Sequence, residues 1–379
     1  MNKYDLIVVS YEPFPYGKAA TNRMLSYLVG IAEEKQILYL CTASPSVNTP
    51  NKEKSGLYHN IHFRYTSTPV LKGKSSFLKK TLNLIYRYIA LFSLLLIFKY
   101  KSVLLYSSKP FYNKIVQLAC KIKRTNLFID KTELVGYNYS RKTSDILKFK
   151  KDMKSLTGIV VISQGLYDYF DNLDSSKKFL LPVLVDLSRF KQQTKEKYFF
   201  CCSGANLERD GLLDCLNGFL IFSKKNKDYV FKIATNLNLE DPYHRRCKDI
   251  MDQHPDLIKY LGNLPSYEIP NLLCKSTALM LTPHKNYETK GFPTKLGEYL
   301  ASGTPVICSS IDDLMAVLPS DTAYIVPPNM PEKIACALQS IVENNQLAEA
   351  IAKKGRQLMS ENYTIHAYKH KLIHFFKLS

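Results

Sequence analysis

A chain of 379 residues is longer than one hydrophobic core usually covers, so two domains of about 190 residues each are expected. Hydrophobic residues make up 46% and charged residues 22%, the proportions of an ordinary globular protein. Nine scattered cysteines with no C-x-x-C pair speak against a small disulfide framework and for reduced thiols in a cytoplasmic protein. The net charge of +19 is uneven: residues 1–190 carry 29 Lys and Arg against 13 Asp and Glu, and the remainder 23 against 20.

Strands and helices alternate from the start, the pattern of parallel sheets covered by helices. The strand Leu6 to Ser10 begins so early that no signal peptide is expected before it. A turn through Gly17 and Lys18 follows, then a helix from about Ala20 to Glu33. In doubly wound folds ligands sit at such carboxyl ends of strands. Small residues there let a ligand approach, and Lys18 and Arg23 would add charge.

From Lys54 to Ile129 there is no acidic residue, and the stretch holds 14 Lys and Arg. Inside it the apolar run Ile89 to Phe98 is too short to span a bilayer, where about 20 residues are needed. It suits a buried core helix or one lying in a membrane interface, and the basic surroundings favour contact with an anionic membrane or lipid-linked acceptor. No recognised nucleic-acid module or RNA-stacking pattern accompanies the charge, so nucleic acid is not expected as a partner.

The strand Asn126 to Asp130 ends in polar residues. A carboxylate at this position can assist deprotonation of a hydroxyl, which makes Asp130 and Glu133 candidates, and helix capping by Asp130 or Thr132 is an equal alternative. The strand Gly158 to Ser163 and a helix from Gln164 close the first half. Polar residues Lys191 to Lys197 mark the boundary, giving domains 1–190 and 191–379.

The second half opens with the strand Tyr198 to Cys202, a turn to Gly211 and a helix from Leu212 to Ser223. The planar fork of Arg209 suits a diphosphate. Strands at Tyr229–Ala234 and Ala278–Thr282, with the segment Ile258–Leu264 between them, continue the alternation. Next comes Gly291-Phe292-Pro293-Thr294-Lys295-Leu296-Gly297-Glu298, a Gly/Pro turn running into a helix from about Thr294 that stops at Gly303. Free N–H groups at a helix start favour a phosphate, and Gly291 has no Cβ to obstruct it. Glu298, four residues after Thr294, shares that helix face and can accept two ribose hydroxyls. His366, His370 and His374 recur every four residues near the end. A half-buried helix face is the favoured reading over a metal site, and no metal ligand set is assigned.

The segment 291–307 resembles the donor-binding motif of the family-four retaining glycosyltransferases, and weaker likeness extends from about residue 5 to 360. The resemblance implies a GT-B fold, with two Rossmann-like domains facing across a cleft and a C-terminal helix crossing back to the first domain. It implies that the turn at Gly17 and Lys18 closes over the donor diphosphate and that Asp130 and Glu133 line the acceptor side. Gly204 would let the phosphates approach, Leu264 would meet the base, and His284 would enter the site before the Gly291-Phe292 turn. In that family a Glu precedes the Gly-Phe pair, whereas this chain has Lys290; the second Glu of the motif is Glu298. The Arg that usually follows the glycine of the phosphate turn is Ala205 here, which leaves Arg209 as the nearby cation.

The implied activity is transfer of a hexose from a nucleoside diphosphate sugar to a hydroxyl of a saccharide or lipid-linked acceptor, with retained configuration. Surface polysaccharide synthesis on the inner face of the plasma membrane is the expected setting. No cofactor is expected, and with no D-x-D motif no metal. The competing readings are a nucleotide-sugar epimerase of the same fold and an inactive donor-binding subunit, the latter suggested by Lys290.

Overall fold

The structure, a computed structural model, describes residues 3–17, 19–45, 50–67, 77–106, 110–132, 156–202, 206–284, 294–315 and 318–379. The chain divides into two compact units: Met1–Leu184 together with Ile365–Ser379, and Val185–Thr364.

The first unit contains β1 (Lys3–Ser10), α1 (Ala19–Ile31), β2 (Ile37–Cys41), β3 (Ser55–Tyr58), β4 (Ile61–Tyr65), α2 (Phe77–Ile97), β5 (Lys99–Tyr106), α3 (Pro110–Lys123), β6 (Asn126–Lys131), β7 (Gly158–Val161), α4 (Gln164–Tyr169) and β8 (Lys178–Leu180). Its sheet runs β3-β4-β2-β1-β5-β6-β7-β8, parallel except for the edge strand β3. Leu6, Ile7, Val8 and Val9 are all buried, the continuous apolar run of a strand covered on both faces. Crossovers to the left of β1 and to the right of β5 are right-handed, so α2 and α3 cover the face opposite α1.

The second unit contains β9 (Tyr198–Cys202), α5 (Leu212–Ser223), β10 (Val230–Ala234), α6 (Pro242–Gln253), β11 (Ile258–Gly262), α7 (Ile269–Lys275), β12 (Ala278–Leu281), α8 (Thr294–Ala301), β13 (Val306–Ser309), α9 (Asp312–Met315), β14 (Tyr324–Val326), α10 (Pro331–Glu343) and α11 (Asn345–Asn362). Its sheet, β11-β10-β9-β12-β13-β14, is wholly parallel. Phe199, Phe219, Phe222 and Phe231 fill its core, with ring centroids 5.2 to 6.4 Å apart.

The last helix, α12 (Ile365–Phe375), belongs to the first unit. Leu372, Ile373 and Phe376 are buried in the core with Leu6, Val8 and Phe128. Gly30 on α1 allows this, because a Cβ there would stand 2.4 Å from Ile365. The Ser102 hydroxyl donates to the Phe376 carbonyl at 2.6 Å, which ties the end of the chain to β5. His366, His370 and His374 are exposed on this helix rather than half-buried, since its inward face is the Leu372, Ile373 and Phe376 side.

Candidate functional site

In the second unit the strand order turns over between β9 and β12: β10 and β11 lie to one side, β13 and β14 to the other. Neighbouring crossovers diverge at such a point and leave a crevice at the strands' carboxyl ends. The described segments that emerge there are the turn ending at Gly211, residues 282–284 after Leu281, and the start of α8. Gly211 has a φ of 72°, and a Cβ on it would stand 1.8 Å from the Thr282 carbonyl oxygen. Glycine is therefore required for both the backbone angle and the close approach. The Thr282 hydroxyl donates to the Gly211 carbonyl at 3.2 Å, and the His284 N–H donates to the Arg209 carbonyl at 3.3 Å.

Helix α8 starts at Thr294 and is held to β9 by Tyr299, whose buried hydroxyl accepts from the Cys202 N–H at 2.7 Å. Burial drives the Tyr299 pKa well above its ordinary value, so the group stays a neutral phenol. From this helix Lys295 pairs with the buried Asp210 carboxylate, which also meets Arg209 at 3.4 Å. One carboxylate thus holds Arg209, the cation predicted for the diphosphate, beside Lys295.

Glu298, on the same helix, accepts from Arg189 at 2.7 Å, with both side chains about one-third exposed. Arg189 sits in a single helical turn, Leu187–Arg189, capped by Asp186, which accepts from the Ser188 N–H at 3.0 Å. Its other terminal nitrogen donates to the Ser266 carbonyl at 3.3 Å. Close to Ser266 in sequence, Leu261, Leu264, Tyr267, Glu268, Asn271 and Leu272 line an open cavity of about 450 Å³. The Arg189 guanidinium thus bridges Glu298 and the Ser266 backbone, which leaves lone pairs of the carboxylate available to other donors.

His284 Nε2 stands 3.4 Å from Asp214 Oδ2, both atoms buried and with no hydrogen bond between them. Burial raises the Asp214 carboxyl above its ordinary pKa, opposed by His284 and the Asn329 backbone and aided by Glu332.

The other predicted residues fall elsewhere or outside the described residues. Asp130, in the first unit, is buried, and its oxygens accept from Arg23 at 3.2 Å and from the Tyr27 hydroxyl at 3.0 Å. The sequence reading offered it as a helper of acceptor deprotonation or a helix cap. The structure makes it the counter-ion of Arg23, with Arg23 also donating to the Leu181 and Pro182 carbonyls. Gly17 packs against Thr21, where a Cβ would stand 2.0 Å from the hydroxyl oxygen, so it serves a tight turn. Lys18, Glu133, Gly204, Lys290, Gly291 and Phe292 lie outside the described residues, as does the side chain of Thr294. Among the described residues no group of three His, Cys, Asp or Glu is placed to hold a metal ion.

Three side chains of this neighbourhood were not predicted as site residues: Asp210, Asp214 and Arg189. Asp210 stands next to Arg209 in sequence, and a carboxylate beside a proposed diphosphate cation was the available signal. Asp214 and Arg189 carry no such local mark, because their partners lie 70 and 109 positions away.

The fold is that of GT-B proteins. Sucrose-phosphate synthase from Thermosynechococcus elongatus superposes with a TM-score of 0.72 at 14% identity, covering 99% of this chain and 98% of that one. HepE from Anabaena, in complex with UDP and glucose, gives 0.75 at 12%, with 99% of each chain covered. A glycosyltransferase from Rickettsia africae gives 0.68 at 15%, covering 100% of this chain and 98% of its own. Within that fold, residues 185–358, nearly the whole of the second unit, match the family model described as "Glycosyl transferases group 1". No curated protein gives a significant match to the chain.

Proposed function

We propose that this protein is a retaining glycosyltransferase. It moves a hexose from a nucleoside diphosphate sugar to a hydroxyl of a saccharide or lipid-linked acceptor, in surface polysaccharide synthesis at the inner face of the plasma membrane. The observation that carries the reading is the placement of Glu298 and Lys295 on the first turns of α8, at the topological switch of the unit that the group 1 family model matches.

On this reading the diphosphate meets the N–H groups of the α8 start together with Lys295 and Arg209, which Asp210 already holds beside each other. These donors are fixed before the sugar leaves, so they stabilise the charge that grows on the departing diphosphate as the glycosidic bond breaks. Ribose hydroxyls donate to the free lone pairs of Glu298, and the base enters the cavity beside Leu264. Charge neutralisation is assigned to these side chains, so transfer is expected to proceed without an added metal.

The solved HepE structures hold UDP and UDP-glucose, which makes these the first ligands to test. Glu298→Ala is expected to weaken UDP binding by about 1–3 kcal/mol, because hydrogen bonds to a carboxylate are charge-assisted. Calorimetry on the folded variant with unchanged affinity would remove the assignment. Nucleotide binding by the wild-type protein with neither transfer nor donor hydrolysis would make it a donor-binding subunit instead.

A further inference from the structure

On the first unit, α2 is apolar on the wrong side for a helix that only covers a sheet. Leu91 and Leu95 are fully buried beneath it. At 100° per residue, Leu82, Ile85, Tyr86, Ile89, Leu96 and Ile97 fall within about 120° on the opposite side. All six are exposed, Ile89 to 61% and Leu82 to 56%. A helix that merely closed a core would turn polar residues to that side.

The neighbouring helix α3 repeats the pattern on a smaller scale. Tyr112, Val116 and Ala119 are buried, while Leu118 and Ile122, one turn apart, are exposed to 51% and 57%. Lys114, Lys121 and Arg124 are exposed around them. The two helices pack side by side, with Tyr88 of α2 and Tyr112 of α3 at a ring distance of 4.7 Å. Lys123 donates to the Leu96 carbonyl at 3.0 Å and to that of Phe98, so α3 secures the end of α2. The apolar ridge is thus mounted on a fixed pair of helices.

Charge selects the occupant. Both helices lie in the stretch from Lys54 to Ile129, which contains no Asp or Glu. A second copy of this chain would bring the same cations to the contact, and like charges would oppose it. A nucleic acid would meet the cations but leave the Leu and Ile ridge without a partner. An anionic bilayer satisfies both: acyl chains take the ridge, headgroup phosphates take the lysines and arginines, and Tyr86 suits the boundary between them. Among the described residues no helix is long and apolar enough to cross a membrane.

We infer that the outer face of α2 and α3 is a docking surface that lays this domain on an anionic lipid bilayer, with Leu82, Ile85, Ile89, Leu118 and Ile122 entering the interface. The inference is independent of the donor chemistry, so its failure would leave the Glu298 assignment standing.

Co-sedimentation of the full chain with vesicles tests it, using phosphatidylcholine alone and phosphatidylcholine with phosphatidylglycerol. The wild-type protein is expected to pellet with the anionic vesicles only, and its binding to fall at least tenfold between 0.05 and 0.5 M salt, because exposed charges are screened beyond roughly 10 Å at 0.1 M. Ile85→Glu/Ile89→Glu should lose at least tenfold in vesicle binding with its UDP affinity and thermal transition unchanged, since both positions are exposed. Absence of wild-type binding at low salt, or equal binding by the double variant, overturns the proposal. A wild-type dimer in solution that the double variant dissociates also overturns it, by assigning the ridge to a second copy.

Discussion

Two arginine–carboxylate pairs, one in each unit and in contact at 3.2 and 2.7 Å, have opposite surroundings. Arg23 and Asp130 are sealed, with side-chain exposures of 4% and 0%, and every remaining group of the pair faces protein: Tyr27 and two backbone carbonyls. Arg189 and Glu298 stand one-third open to solvent. A buried pair has no water to fall back on, so its geometry is fixed by the fold and its carboxylate is not free for a substrate. An open pair holds its carboxylate in one orientation and leaves lone pairs for a ligand. A guanidinium and a carboxylate therefore build a brace in one domain and a candidate receptor in the other.

The contrast breaks most visibly at Asp130. Asp130→Ala leaves the Arg23 guanidinium buried without its counter-ion, and the expected loss is about 3–5 kcal/mol in the denaturant unfolding of the first domain. The double variant Arg23→Met/Asp130→Leu should recover much of it. A loss below about 1 kcal/mol for Asp130→Ala would mean that the pair is as replaceable as a surface contact.

Lys195 sharpens the contrast: the residue is exposed overall, yet its ammonium is hydrogen-bonded to neutral acceptors. It donates to the Cys274 carbonyl at 2.9 Å and the Thr304 hydroxyl at 2.5 Å, and burial lowers its pKa from 10.5 to about 8. Between about pH 8 and 10.5 the unfolded chain holds a proton on this side chain that the folded one has released. Stability due to this group therefore rises with pH across that window and is lost as pH falls through about 8. Relative to Lys195→Met, the wild-type protein should become more stable from pH 8 to 10. A constant difference between the two over that range would show that the ammonium is well solvated in the folded state.

The smallest effect is expected at the open pair. Arg189→Ala should change fold stability by less than about 1 kcal/mol, the range of exposed ion pairs. A larger loss in thermal unfolding would show that Arg189 braces the domain and would erase the difference between the two pairs.

The alternation of elements was legible in the sequence because strand and helix periods differ and the strands here are unbroken apolar runs, such as Leu6–Val9 and Phe199–Cys201. The start of α8 at Thr294 was legible from the Gly/Pro turn before it and its end from Gly303. Partnerships were not legible. Asp130 finds Arg23 from 107 positions away, and Lys295 finds Asp210 from 85, so neither a spacing rule nor a local pattern marks them. The outer face of α2 was half legible: the run Ile89 to Phe98 announced an apolar helix, yet only burial showed that Ile89 faces out while Leu91 and Leu95 face in.

The return of α12 to the first unit has a consequence for the order of assembly. Synthesis runs from the first residue onward, and domains generally fold as they emerge. Here the strip of core supplied by Leu372, Ile373, Phe376 and Leu378 is made only after all of Val185–Thr364. Until then Phe128 lacks its ring contacts with Phe375 and Phe376, and Ser102 lacks its acceptor. The domain made first is therefore the domain finished last, and the second unit, one unbroken stretch of chain, is free to fold before it.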